Sequence, residues 1–437
     1  MPGALVRVER IGGMIDWQDI DNKVTDNNYY ASQDYHEMFR LLRREDPVHL
    51  ADGAFGRPLW ILTKYDDTVA VLTDTDTFSS KFGGFLPVSP QSVHTIDREK
   101  AGYNALPTFS DDPKHMRYRK PFNRHFTAPM IAKRTDTVRK LVNEIIDEIA
   151  ERNECDFVDD IAGQLPIRLI CEMMGVPRED WNRLSDYAQS FMGGTDPEFQ
   201  RPGMTLVQSQ EAAMRDLYDY MIDLALERRK NPTEDFTSLI GNMRDEGELW
   251  AERDVGWWCF SMISGGLNTT RDTFGVGMHT LIENPDQMEL LRGDLSLLPS
   301  AVEEIMRWVT VSKHKLRVAT TDVEIKGRAI RKGDWVVPWL VSANRDEDVF
   351  EDPYRFDITR NPNPHVSFGV TTGNHFCLGR NLARLEIRVA LEEILQRLKN
   401  VEVVGSVEWL ASSNSTGIKH LPIRYEVVEK SRSREFA

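Results

Sequence analysis

The stretch from residue 368 to residue 384, "FGVTTGNHFCLGRNLAR", constrains this chain more than any other. It places Cys377 between a glycine-rich turn and an apolar helix that begins at or just after the cysteine. The first amides of such a helix point at the sulfur and, with the helix dipole, stabilise the negative charge of a thiolate. Gly373 and Gly379 give the backbone freedom for a tight loop against a flat ligand. The pattern favours a metal-binding thiolate, with a buried cysteine at a helix start as the alternative.

Composition excludes several other classes of protein. Cys155, Cys171 and Cys259 are widely separated and form no CxxC pair, which argues against a disulfide framework and a structural zinc site. A net charge of −15 disfavours a general nucleic-acid or anionic-membrane binder. No apolar run approaches the roughly 20 residues of a membrane helix, and the amino terminus lacks a signal-peptide pattern. We therefore predict a cytoplasmic protein without nucleic acid and without a membrane anchor.

The periodicity of apolar residues predicts a mainly α fold with small β-sheets, of the α+β class. Short strand patterns cluster at 47–63, where a hairpin is predicted, at 317–340 and at the carboxyl end. No linker divides the 437 residues, so we predict one large domain, with residues 1–30 as an amino-terminal extension. The spacing predicts amphipathic or buried helices over 132–151, 162–175, 211–228, 254–283, 298–308 and 378–398.

The predicted helix over 254–283 contains two adjacent glycines, Gly265 and Gly266. Each costs roughly 1 kcal/mol relative to alanine in a helix interior. We therefore predict that a ligand approaches the helix backbone closely at this point.

The cysteine loop resembles that of the cytochrome P-450 family, whose pattern is F-G-x-G-x-H-x-C-x-G. Four further stretches resemble family motifs in order: "HMRYRKPFNRHFT", "GGLNTTRD", "EEIMR" and "NRDEDVFEDPYRFDITRNPNPHVSFG". Together the motifs cover the chain from about residue 45 to the end. The resemblance implies the P-450 fold, with a long central helix over haem b and Cys377 as the axial ligand of the haem iron.

Matching positions imply roles for further residues. Haem propionates are buried anions, which guanidinium groups neutralise well by paired hydrogen bonds. Glu304 and Arg307 lie on one helical face, and the resemblance adds Arg355 to form a buried charged network. The basic residues Lys114, Lys120 and Arg124 form either a solvated face or part of a redox-partner footprint. The positions expected to contact haem are His115, Arg119, Gly265, Gly266, Arg317, Gly373, His375 and Gly379.

The oxygen-binding groove departs from the family pattern. The alcohol position holds Thr269, but the acid position holds Asn268, and an amide cannot deliver a proton as a carboxyl group can. Asp272 either substitutes for the acid through water or faces solvent. The Thr269 hydroxyl can also bond back to the Gly265 carbonyl. We expect Thr269 and Asn268 to be the catalytic pair of this helix.

The cysteine loop is two residues longer than in the family. Val370, Thr371 and Thr372 stand where the family has one residue, so Phe368 is nine positions before Cys377 instead of seven. We predict that the insertion bulges on the proximal face and either moves Phe368 or alters the surface that docks a redox partner.

A thiolate ligand pushes electron density toward haem iron and favours O–O cleavage. The resemblance implies a monooxygenase that receives electrons from NAD(P)H through ferredoxin reductase and ferredoxin. A peroxide-using or non-oxidative haem-thiolate enzyme and a haem-binding sensor are the alternatives. The substrate is expected to be an apolar terpenoid or steroid. The predicted pocket residues, each of which could equally be core, are Phe82, Phe85, Leu86, Phe191, Met192, Met262, Val309, Val311, Ser415 and Thr416.

Overall fold

The computed structural model describes residues 15–52, 55–87 and 97–428, and helices dominate it. Every helix predicted from apolar spacing is present within a few residues of its expected bounds. Among the described helices, none has both the length and the apolar character needed to cross a membrane. The α-helices are α1 Trp17–Thr25, α2 Asn27–Ala31, α3 Tyr35–Glu45, α4 Tyr65–Thr73, α5 Lys114–Asn123, α6 Ala128–Ala132, α7 Thr135–Ile149, α8 Gln164–Met174, α9 Trp181–Met192, α10 Leu206–Lys230, α11 Phe236–Gly241, α12 Glu252–Glu283, α13 Pro285–Gly293, α14 Leu298–Val309, α15 Leu340–Ala343 and α16 Arg380–Arg397.

Short strands form small sheets, as the sequence predicts. They are β1 Val48–Asp52, β2 Pro58–Leu62, β3 Phe78–Ser79, β4 Glu154–Asp156, β5 Arg244–Asp245, β6 Glu248–Leu249, β7 Arg317–Ala319, β8 Val323–Ile325, β9 Arg328–Ile330, β10 Trp335–Pro338, β11 Leu398–Val403, β12 Glu408–Trp409, β13 Ile418–His420 and β14 Pro422–Val427. The largest sheet has the order β1-β2-β10-β7-β3. Its β1–β2 pair is the predicted hairpin, with Val48 opposite Leu62.

Helix α12 runs through the centre of the molecule for 32 residues. It packs against α8, α9, α10 and α14, and most of its side chains are buried. A helix that is apolar on nearly all sides belongs in a protein core. Any exposed face on α12 therefore marks a place that the surrounding helices leave open.

The amino-terminal segment is part of the folded core and not an extension. Ile20, Val24 and Tyr30 are fully buried. The Tyr30 ring stacks on Trp339 at 5.9 Å between centroids and 2° between planes. This corrects the predicted boundary for residues 15–30, because the aromatic and aliphatic side chains of α1 and α2 complete a cluster around the large sheet. Residues 1–14 of the predicted extension lie outside the described residues.

Helix α16 buries a carboxyl group. Glu386 is 2% exposed, and its Oε2 atom has no hydrogen-bond partner. Burial raises the pKa of Glu386 to about 8. The folded protein therefore keeps this proton up to about pH 8, whereas the unfolded chain releases it above about pH 4.3. Because the unfolded state binds fewer protons between these values, Glu386 lowers stability as pH rises through this window.

Replacing Glu386 with glutamine is expected to remove this pH dependence, because the amide carries no titrating proton. Urea unfolding should show the variant more stable than the wild type at pH 8, by on the order of several kcal/mol. The difference should shrink toward pH 5. The matched change in the exposed Glu289 should leave the pH profile unaltered. Parallel profiles for wild type and Glu386→Gln would contradict the prediction.

Candidate functional site

The cysteine loop presents its sulfur to the start of a helix, as predicted. Gly379 is the N-cap of α16 and lies two residues after Cys377. The Cys377 N–H donates to the Phe368 carbonyl over 2.9 Å. Burial raises the pKa of the Cys377 thiol, while the Gly379 amide and the Arg119 guanidinium favour the thiolate. Cys377 as a whole residue is half-buried.

The two extra residues of the loop form a turn that docks on α4. The Gly373 N–H donates to the Val370 carbonyl over 3.0 Å, and Val370 is buried beside Leu72. The Thr372 and Thr73 hydroxyls lie 3.1 Å apart. The inserted residues therefore form a turn of their own, and the Phe368 carbonyl stays bonded to the Cys377 N–H. The predicted effect of the insertion on the redox-partner surface stays a prediction. The expected role of Gly373 beside a flat ligand is corrected, because its Cβ would lie 2.7 Å from the Leu72 carbonyl oxygen.

The four residues predicted to hold propionates form a group of donors, in which His115 and Arg317 are buried and Arg119 and His375 are half-buried. The His115 and His375 rings stack at 4.1 Å between centroids. His115 Nδ1 and Arg317 Nε are buried without hydrogen-bond partners. Burial lowers the pKa of His115 to about 4 and that of Arg317 to about 10. Arg119 donates to the Phe376 carbonyl in the cysteine loop.

Unpaired buried donors are costly unless an acceptor fills the site. Two carboxylate groups would satisfy the free nitrogens of His115 and Arg317 and the charges of both arginines. The donor set therefore fits the propionates of haem.

Helix α12 has one open face. Gly265 is exposed although it lies in the middle of a buried helix, and a Cβ there would meet nothing within 4 Å. Thr269 lies one turn further on the same face, and its hydroxyl donates to the Gly265 carbonyl over 2.8 Å. Gly266 has a different role from the predicted one, because its Cβ would press on Ile170 of α8 at 3.3 Å. Only Gly265 of the pair leaves room for a ligand.

The polar residues around Thr269 face other helices. Asn268 is buried, and its Nδ2 donates to the Ala188 carbonyl of α9 over 3.0 Å. Asp272 is also buried, and its Oδ1 lies 3.0 Å from Nε of Arg271. Asp272 therefore does not face solvent, which removes that one of its two predicted positions.

Glu304 and Arg307 form the predicted ion pair on α14. Two parallel hydrogen bonds of 2.7 and 2.8 Å join them, and both side chains are fully buried. The prediction that the Arg355 side chain completes this charged network is wrong. Arg355 is exposed and contributes only its backbone carbonyl, whereas the Arg360 side chain reaches Glu304 at 3.2 Å. Arg355 lies in a surface turn, and Arg360, five residues on, points inward.

The predicted pocket residues separate by burial. Phe82 is 42% exposed and lies beside Arg98. The residues that are packed in the interior are Leu86, Val309, Ser415 and Thr416. Those that remain partly exposed are Phe85, Phe191, Met192, Met262 and Val311.

Two lysines after α14 were missed by the sequence analysis. Lys313 is buried between the Tyr30 and Tyr35 rings, at 5.3 Å from each centroid, and donates to the Ser412 carbonyl over 3.0 Å. Burial lowers the pKa of Lys313 to about 7. Lys315 approaches the Phe85 ring. The signal was the "SKHKLR" run, which puts basic residues in a segment predicted to border an apolar pocket.

Comparisons with known proteins agree with this geometry. The family model for Cytochrome P450 matches residues 32–414. A steroid C26-monooxygenase of Mycolicibacterium smegmatis is 35% identical, over 89% of this chain and 90% of that protein. A methyl-branched lipid omega-hydroxylase of Mycobacterium tuberculosis is 34% identical, over 94% of both chains. The solved structure of a Mycobacterium marinum cytochrome P450 in complex with pseudoionone has a TM-score of 0.82 at 30% identity, covering 90% of this chain and 95% of that one. This chain therefore belongs to the cytochrome P450 family, and it is an enzyme of the monooxygenase class whose cofactor is haem.

Proposed function

We propose that this enzyme hydroxylates an apolar terpenoid or steroid, with electrons that pass from NAD(P)H through ferredoxin reductase and ferredoxin in the cytoplasm. The observation that carries the proposal is the half-buried Cys377 at the start of α16, which lies in the same loop as His375 and beside Arg119 of the donor group for propionates. Haem b bound by a thiolate supplies the chemistry that activates dioxygen for insertion into C–H bonds.

The chain's own residues would bind and orient the reactants. Cys377 would supply the axial thiolate. The donor group would neutralise the propionates, because its free nitrogens need acceptors. Thr269 borders the open face at Gly265, where its hydroxyl, which donates to the Gly265 carbonyl, can accept a hydrogen bond from a small ligand.

The substrate class rests on two further observations. The partly exposed pocket residues, such as Phe191 and Met262, present aromatic and aliphatic surface. One relative is named a steroid C26-monooxygenase. A solved structure of another cytochrome P450 contains pseudoionone. Both kinds of molecule suit a pocket lined by such side chains.

Reconstitution with a ferredoxin, its reductase and NADH tests this proposal. The wild type should consume one NADH per hydroxylated product, with the new oxygen atom derived from labelled dioxygen. Thr269→Ala is expected to release a larger share of the electrons as hydrogen peroxide, because it removes the hydroxyl that is bonded to the Gly265 carbonyl at the open face. The measured quantity is the ratio of peroxide to product.

Thr280→Ala is the matched control for this prediction. Thr280 lies on the same helix and makes the same intrahelical bond, 2.8 Å to the Val276 carbonyl, but it is buried away from the open face. Its replacement should leave the ratio of peroxide to product unchanged. Equal ratios for wild type and Thr269→Ala would remove Thr269 from oxygen activation.

A peroxide-driven reaction is the second candidate, and Asn268 favours it. This residue has no titrating proton, and its amide is engaged with Ala188. In that case hydrogen peroxide alone would support turnover, and NADH with ferredoxin and reductase would not.

A further inference from the structure

Lys315 lies where three pocket segments meet. It stands between α14 and β7, and its backbone N–H donates to the Pro338 carbonyl over 3.1 Å. Its Nζ is 2.8 Å from Ser312 Oγ and 4.2 Å from the centroid of the Phe85 ring. The Ser312 backbone forms an isolated antiparallel β-bridge with Ser415. The ammonium group is thus fixed between the loop before α5, the segment after α14 and the turn before β13.

The Lys315 ammonium has no carboxylate partner among the described residues. Within residues 15–52, 55–87 and 97–428, no carboxylate forms an ion pair with it. By contrast, an aspartate pairs with each of Lys64, Lys114, Lys326 and Lys419. Burial and the nearby Arg317 cation lower the pKa of Lys315 to about 7. A cation held in an apolar pocket is costly unless an anion joins it.

We propose that Lys315 binds a carboxylate of the substrate, so that the enzyme acts on an acid with an apolar skeleton, such as a carboxylated terpenoid or steroid. The inference rests on the proposed function and makes its substrate class narrower. Ser312 and Phe85 keep the ammonium in place, and a carboxylate there would accept a charge-assisted hydrogen bond.

A haem propionate is the other carboxylate that could reach this region. The observations favour the substrate, because four other residues already form the donor group for propionates. The Lys315 ammonium is near enough to Arg317 and His375 to interact with them electrostatically, but its direct contacts are Ser312 and Phe85, and Phe85 is a partly exposed member of the predicted pocket.

Matched pairs of acids and methyl esters test the proposal in the haem-loaded enzyme. Suitable probes are dehydroabietic acid and lithocholic acid, each with its methyl ester, and the readout is the change in the haem absorption spectrum on binding. The wild type should bind each acid roughly 10- to 100-fold more tightly than its ester. Lys315→Met should lose this preference while its affinity for the esters stays the same, and Lys315→Arg should keep much of it.

The exposed Lys332 provides the control, and Lys332→Met should retain the preference for acids. If the wild type binds esters as tightly as acids, the inference is overturned and the proposed function stands. If Lys315→Met weakens acids and esters equally and speeds haem transfer to apomyoglobin, Lys315 binds a propionate and the inference is also overturned. If none of the compounds binds, both the proposed substrate class and the inference about Lys315 are overturned.

Discussion

Cys377→Ala is expected to abolish monooxygenase activity and the long-wavelength carbon monoxide band of the reduced enzyme. That band reports a thiolate ligand on haem iron, and the four cysteines of the chain are widely separated in sequence. Cys377 lies just before the first residue of α16 and beside the donor group for propionates, and the Gly379 amide favours its thiolate form. Loss of the sulfur removes the axial ligand itself, so the effect on turnover should be near complete. Haem content and the carbon monoxide spectrum are measured on the same preparation.

Cys155 supplies the matched control. It lies on β4, and burial raises the pKa of its thiol to about 12, so it is a poor thiolate at neutral pH. Cys155→Ala should keep the band and the activity. A long-wavelength band that survives in Cys377→Ala would overturn the assignment of the ligand.

Arg307→Met should destabilise the protein by roughly 3–5 kcal/mol, because it leaves the Glu304 carboxylate buried with an incomplete set of partners. Glu304 and Arg307 are both fully buried, and the bond between them is bidentate. Arg307 also donates to the carbonyls of Asn344 and Pro353, so its loss frees acceptors in the segment that leads to the cysteine loop. Urea unfolding and the haem content of the purified variant measure the effect.

Variants of Arg355 and Arg360 test whether the loss of stability comes from the Glu304 network. Arg360→Met should also destabilise, because Arg360 reaches Glu304 at 3.2 Å. Arg355→Met should change stability by no more than about 0.5 kcal/mol, since its side chain is exposed. Comparable losses for Arg355→Met and Arg360→Met would show that the network differs from the one described.

The motifs with fixed spacing could be predicted from sequence because their chemistry depends on local geometry. A cysteine just before an apolar helix presents its sulfur to the first amides of that helix, and the pair Glu304 and Arg307 lies one helical turn apart. Both arrangements are confirmed. Apolar periodicity likewise gave the helices, because burial of one face sets the spacing.

The remaining errors concern contacts between segments far apart in the chain. Arg355 and Arg360 share one loop, and only the folded turn decides which of them points at Glu304. Gly266 meets Ile170 of a helix almost a hundred residues away. The burial of Tyr30 against Trp339 depends on a sheet that combines strands from residues 48–79 with strands from residues 317–338. The local spacing of apolar residues does not predict any of these contacts.

The bond from Asn268 to the Ala188 carbonyl has a mechanical consequence. It ties α12 to α9, so that any outward movement of α9 must first break a buried hydrogen bond made by the residue next to Thr269. An ionised aspartate could not donate this bond and would repel the carbonyl instead. In this enzyme the Asn268 amide therefore links the position of α9 to the hydrogen bonding beside Thr269.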